Sequence, residues 1–349
     1  MLHKKKIYSL ALCAFMMAGN CQTAWADIPI VSPVPIENSF PSSQGTTETV
    51  SKQGTKHSSS LMGPSSVPVS TVSEPITGYL GGSKLTMLAN QSHCQILSLL
   101  LETNSGNLMM IDGGTLEDAP YLTQKLLEKG GHVSTWLITH PHSDHVGALN
   151  EILTHPEWGI TIDNIYYSFL PASWYEENEP QRADVMAQTT ANFSKLPEQV
   201  LHGDIFKGQE IVTDNIKTTV MNLPYQFSGN SINNSSVAYM LDINGKRALI
   251  LGDMGPEAAG QLLADYSPEA LACDIVQMSH HGQYGADFNF YMSIRPEICL
   301  WSAPQWLWDN EGDGGFNTGI YRTVETRQWM ASLGVPYHLS IKDGDQTIQ

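Results

Sequence analysis

Nine consecutive residues constrain this 349-residue chain more than any others: Thr139-His140-Pro141-His142-Ser143-Asp144-His145-Val146-Gly147. Four side chains able to ligate a metal fall within six positions, and the apolar run Val133 to Thr139 leads straight into them. Such a run reads as a buried strand giving way to a loop and helix. Imidazoles and carboxylates are costly in a protein interior unless each is paired. A shared cation pairs them all at once, and N/O donors of this kind suit Zn, Fe or Mn. The pattern predicts a metal centre at a strand end, in a fold that brings further ligands to the same edge.

Two later segments repeat the placement. Asp253 follows the apolar stretch Ala248 to Gly252, and His280-His281-Gly282 follows the strand-like Asp274 to Met278. Further strands are expected at Gln95 to Glu102, Asn107 to Ile111, Val237 to Ile243, Arg247 to Leu251, Glu297 to Ser302 and Tyr337 to Ile341. Asn244-Gly245 is a hairpin turn signal. Helical spacing marks Ala119 to Glu128, Pro256 to Leu263, the stretch before Pro296 and Val324 to Leu333. Strands and helices in this order predict an α/β (α+β) fold with helices layered on sheets.

On the residues His140-x-His142-x-Asp144-His145, preceded by a strand, the chain resembles the metallo-β-lactamase fold superfamily of dinuclear metallohydrolases. The likeness runs from about Leu85 to Gln349. It implies a four-layer αββα sandwich of two mixed β-sheets and a pair of divalent ions, with Zn the default and Mn or Fe as alternatives. By the resemblance, His140 and His142 hold one ion, Asp144 and His145 the other, and Asp253 bridges them. His281 joins the second ion and His280 faces a phosphate as hydrogen-bond donor, although the two roles are open to exchange. Asp112 matches an acid that orients the ligand loop from behind, or else forms the turn before Gly113-Gly114. The motifs Asn233-x-x-Ser236-Val237, Leu251-Gly252-Asp253 and Ser279-His280-His281-Gly282 look like the branch holding the nuclease domain of the DNA-uptake channel ComEC and the phosphorylcholine esterases.

Lactamases, glyoxalases and lactonases of the superfamily carry another His between the signature and the bridging Asp. Only His155 and His202 lie in that interval, and neither has the right context. The resemblance therefore implies a phosphodiesterase that uses a metal-bridging hydroxide, with Asp144 orienting the nucleophile while it ligates. Alternatives are a nuclease acting on DNA, an ester, lactone or lactam hydrolase on the same centre, and an exported binding module with a silent site. Aromatic residues at Tyr166, Tyr167, Phe169, Trp174, Tyr175, Trp301, Trp306 and Trp308 either stack on a substrate or pack the core.

Composition separates the substrates. Residues 76–349 carry 31 acids and 13 bases, and no run of Lys or Arg of the kind a duplex-tracking groove uses. A small phosphodiester is the easier partner, with nucleic acid left open. The chain opens with Lys4 to Lys6, an apolar run from Ile7 to Ala18, and Ala24-Trp25-Ala26. This predicts a signal peptide over residues 1–26, hence a secreted, periplasmic or cell-surface protein with no stable membrane insertion after cleavage. Residues 27–75 include 12 Ser, 5 Thr and 7 Pro with one aromatic, too little apolar surface to offset ordering entropy. They predict a disordered linker ahead of a hydrolase domain at 76–349.

Overall fold

The computed structural model describes residues 69–72 and 74–349. The expected signal peptide and nearly all of the expected linker lie outside the described residues. Among the described residues no helix is long and apolar enough to cross a membrane.

Two mixed sheets dominate. The first contains β1 (Lys84–Met87), β2 (Ser98–Glu102), β3 (Leu108–Asp112), β4 (His132–Leu137), β5 (Thr161–Ile162), β6 (Ile165–Tyr166) and β7 (Leu201–His202). The second contains β8 (Glu210–Thr213), β9 (Ile216–Val220), β10 (Tyr239–Ile243), β11 (Lys246–Ile250), β12 (Ile275–Gln277), β13 (Ile298–Trp301) and β14 (Tyr337–Ser340). The last strand, β15 (Gln346–Ile348), returns to the first sheet beside β1, giving the order β15-β1-β2-β3-β4-β6-β7 with β5 paired to β4. The second sheet runs β14-β13-β12-β11-β10-β9-β8.

Side chains alternate across each strand, and the alternation builds three cores. Leu99 and Leu101 of β2, with Met109 and Ile111 of β3, meet Leu241, Ile243, Ile250 and Ile275 of the second sheet between the two layers. Leu100 and Met110, one position out of phase, point the other way into a core formed with Leu122 and Leu126 of helix Ala119–Leu127 and Leu149 of helix Ser143–Thr154. On the far side, Leu249, Val276 and Cys299 pack under helices Pro256–Asp265, Phe288–Ile294 and Thr323–Ser332. Each apolar side chain fully buried in these layers contributes about 1.5–3 kcal/mol relative to exposure. The result is the expected αββα sandwich.

Differences from the sequence expectation are local. β4 ends at Leu137 rather than Thr139, because the Thr139 amide turns to the Asp112 carboxylate (2.9 Å) instead of a neighbouring strand. The hairpin β8–β9, the edge strand β15 with its neighbour β1, and helices Ala172–Asn178 and Ala183–Phe193 are additions to the sequence expectation. Cys273 and Cys299 are buried free thiols and do not pair with each other.

Candidate metal centre

Strand ends of both sheets meet at one point. His140 follows β4, and His142 opens helix Ser143–Thr154, whose first turn carries Asp144 and His145. From the second sheet, Asp253 follows β11 and His281 follows β12. Potential ligand atoms fall into two groups, each within 4.8 Å internally: His140, His142 and Asp253, and then Asp144, His145, Asp253 and His281. Asp253 belongs to both.

Distances inside the groups test whether ions fit. Two ligand atoms each about 2.0–2.2 Å from a tetrahedral ion stand about 3.3–3.6 Å apart. His145 Nε2 lies 3.3 Å from Asp253 Oδ1, His281 Nε2 lies 3.2 Å from Asp253 Oδ2 and 3.3 Å from Asp144 Oδ2, and His140 Nε2 lies 3.0 Å from His142 Nδ1. His145 Nε2, His281 Nε2 and Asp253 Oδ1 are buried with no hydrogen-bond partner among the described residues. Orphaned atoms of this kind are rare in a finished interior. Their convergence fits cations held between them.

Outer contacts fix the ligands from behind. Asp112 Oδ2 accepts from His145 Nδ1 at 2.7 Å and from Thr139 Oγ1 at 2.7 Å, while Oδ1 accepts from the Thr139 amide. This leaves His145 Nε2 to face the centre, the usual division of labour between a ligating imidazole and its carboxylate. Asp112, fully buried, thus holds the His145 ring and the Thr139 turn together. His281 Nδ1 donates to the Ser302 carbonyl at 2.9 Å, which aims Nε2 inward in the same way.

His280 stands in neither group. Its Nε2 is 4.0 Å from Asp253 Oδ2 and accepts from the Asn233 amide at 3.1 Å. Burial pushes its pKa down to about 4, so the ring is neutral near pH 7. Nε2 of His280 therefore serves as an acceptor, its ring proton lies on Nδ1, and of the pair it is His281 that enters a ligand group. Both residues adopt left-handed backbone, φ 51° and 55°. Two consecutive non-glycine residues in that region cost roughly 1–2 kcal/mol each, strain typical of functional loops.

Electrostatics follow the same pattern. Burial opposes charge on His145, yet Asp253 and Asp112 outweigh it and hold its pKa well above the ordinary value. His140 is driven well below it by burial and by His145, and His142 falls to about 3 through burial and the nearby Arg182. Burial works against ionised Asp144 and Asp253, but His281 and His145 keep both acids ionised. Protons on His145 and His281 here occupy the electrostatic role of cations.

The remaining expected residues divide. His155 stacks on Trp158, and His202 stacks on Tyr166, both away from the ligand groups. Trp301 and Trp308 are buried against each other, and Tyr175 is fully buried, so these three are packing residues. Trp306 instead lines a cavity of about 480 Å³ with His93 and Pro304. Residues missed as site members are Glu179, 3.9 Å from His142 Nε2, and Ser302 behind His281. Asn233 stands out in the sequence only as part of a motif, and its contact with His280 gives it a place beside the centre.

Gly252 explains one local requirement. It has φ 56°, and a Cβ there would lie 2.8 Å from Thr139 Cβ and 3.0 Å from Ser236 Oγ. Gly252→Ala is expected to lower stability by about 1–3 kcal/mol and to weaken metal retention by displacing Thr139 from Asp112. Chemical denaturation and metal content check this. A variant matching wild type in both would remove the argument.

A sandwich of two mixed sheets with buried His and Asp side chains converging at their shared edge defines a metal-dependent hydrolase. The sequence profile described as Metallo-beta-lactamase superfamily matches residues 92–301, and the chain belongs to that superfamily. Among solved structures, the metallo-beta-lactamase fold protein YhfI from Bacillus subtilis is similar at 11% identity and TM-score 0.48, over 76% of this chain and 99% of that one. MIM-2 metallo-beta-lactamase is similar at 16% identity and TM-score 0.37, over 74% and 86%. A Cronobacter sakazakii metallo-beta-lactamase with a HARLDQ motif is similar at 16% identity and TM-score 0.36, over 52% and 71%. No curated protein matches.

Proposed function

We propose that the protein is an exported phosphodiesterase that works with two divalent ions, Zn by default, on a small phosphodiester. The observation that carries this reading is the make-up of the first ligand group: His140, His142 and Asp253, with no third imidazole among the described residues. Ions so held supply Lewis-acid polarisation of a phosphoryl oxygen and a water acidified to near-neutral pH. An open ligand position on that side suits a phosphate oxygen better than the fully furnished site of a lactamase.

The chain's own residues do the rest. Asp144 is the more exposed of the two ligand acids, at 13% against 2% for Asp253, so it meets an entering water and can orient it. Asp112 keeps the His145 proton on Nδ1, and Ser302 does the same for His281. Asn233, fully buried, holds His280 through its side-chain amide. Charge supports a small substrate: of the 13 bases in residues 76–349, seven (Lys125, Lys129, Lys207, Lys217, Lys246, Arg322 and Lys342) are already salt-bridged. That leaves little to track a nucleic-acid backbone.

Metal analysis joined to a substrate panel tests the reading. The purified chain is expected to hold about two divalent ions and to cleave bis-aryl phosphates or aryl phosphorylcholine faster than single- or double-stranded DNA. A metal-loaded sample that turns over a lactone or a chromogenic lactam and no phosphodiester would overturn it.

A further inference from the structure

We propose that Glu179 is a positioning residue for the first ion: its carboxylate receives the outward edge of the His142 ring and pins the segment that carries Asn233. The inference rests on the two-ion reading of the centre and is independent of the phosphodiester.

Glu179 terminates helix Ala172–Asn178, where its amide donates to the Tyr175 carbonyl at 2.8 Å. Its side chain is only 15% exposed. A carboxylate so enclosed is costly unless donors surround it. Oε2 accepts from the Ile232 amide at 2.9 Å and from Ser231 Oγ at 3.3 Å. The third group facing that oxygen is His142 Nε2, at 3.9 Å, buried and with no hydrogen-bond partner among the described residues.

The two edges of the His142 ring have different neighbours. Nδ1 faces His140 Nε2 at 3.0 Å, whereas Nε2 faces Glu179. A neutral imidazole that gives the Nδ1 lone pair to a cation carries its proton on Nε2. That buried N–H requires an acceptor. Glu179 Oε2 stands on the required edge, across a gap that a shift of about 1 Å closes to hydrogen-bond distance. The same helix grips the Asn233 segment twice, since Tyr175, four residues earlier, contacts Ser235 Oγ at 3.2 Å. Helix Ser231–Asn234 is therefore held at both ends, and Asn233 between them contacts His280.

The test uses full-length metal-free chain titrated with Co(II) or Zn(II) in competition with a chromophoric chelator. Glu179→Gln keeps the shape and an acceptor for the Ile232 amide but removes the charge. It is expected to leave the metal-free melting temperature and one binding step unchanged while weakening the other about 10–100-fold. The Co(II) absorption of the weakened site should change with it. Ser231→Ala, which removes only a contact to the pinned segment, is expected to leave both steps unchanged. Glu179→Asp keeps the charge one methylene short and should fall between wild type and Glu179→Gln. Should Glu179→Gln fail to fold, Glu179→Asp decides: tight binding of both ions by it overturns the inference. The inference is also overturned if Glu179→Gln binds both ions as wild type does, or if Ser231→Ala reproduces its loss. Wild-type chain that binds one ion would overturn the two-ion reading and this inference with it.

Discussion

Asp253→Asn is expected to strip both ions from the protein rather than one. Its carboxylate is 2% exposed and divides its oxygens between His145 at 3.3 Å and His281 at 3.2 Å, and it is the one member common to both ligand groups. Asparagine preserves the volume, so packing is nearly undisturbed, but a neutral amide leaves the first cation facing imidazoles alone and the second with Asp144 as its one carboxylate. Loss of the ions removes several kcal/mol of transition-state stabilisation, which corresponds to a fall in turnover of at least about 10³-fold. Replacing His140 with Ala, by contrast, touches one group and should cost one ion. Elemental analysis of the two variants beside wild type distinguishes the cases. Two tightly held ions in Asp253→Asn would end the bridging assignment.

Metal-free protein is expected to lose stability as pH rises from about 6.5 to about 9, and metal-loaded protein is not. Burial disfavours charge on His281, but Asp253 and Asp144 overcome it and push its pKa up to about 9. The folded value lies above the ordinary 6.5, so the bound proton stabilises the fold. This contribution is fully present below about pH 6.5 and is lost as pH climbs through about 9. One pKa unit is worth about 1.4 kcal/mol, which puts the effect on the order of 3 kcal/mol. His145, also shifted upward, acts in the same direction. His142 and His280 are shifted down, so they reduce stability only as pH falls below about 6.5. Ions displace the protons from ligating imidazoles, and the alkaline slope should vanish when they bind. Denaturation midpoints at pH 6.5 and pH 9, with chelator and with Zn(II), provide the comparison. Parallel slopes in the two series would refute the exchange of protons for ions.

What the sequence made legible were features with a local signature. The cluster at residues 140–145 announced itself because its members are adjacent, and Asp253 and His281 because each follows an apolar strand. Asn244-Gly245 located the hairpin β10–β11 through turn chemistry alone. Glu179 left no such mark, since its role arises from a helix that brings it against Ile232 and His142, 53 and 37 positions away. The choice between His280 and His281 also needed three dimensions: two left-handed residues in succession send their rings in different directions. Trp301 and Trp308 misled in the opposite sense. Aromatic residues beside a catalytic loop look like substrate platforms on paper, and here they fill the space beneath it. The paired strands β1 and β15 were hidden by their shortness, four and three residues.

Because four ligands come from the first sheet and two from the second, neither half of the chain can assemble the centre alone. Residues 140–145 are complete in sequence long before Asp253 and His281 leave the ribosome. An ion captured early would find only a few imidazoles and a carboxylate on an unpartnered sheet, a weak and unselective trap. High affinity begins when the two sheets close on each other. On this geometry, tight metal binding would follow closure of the sandwich and would report that the two sheets have met in register.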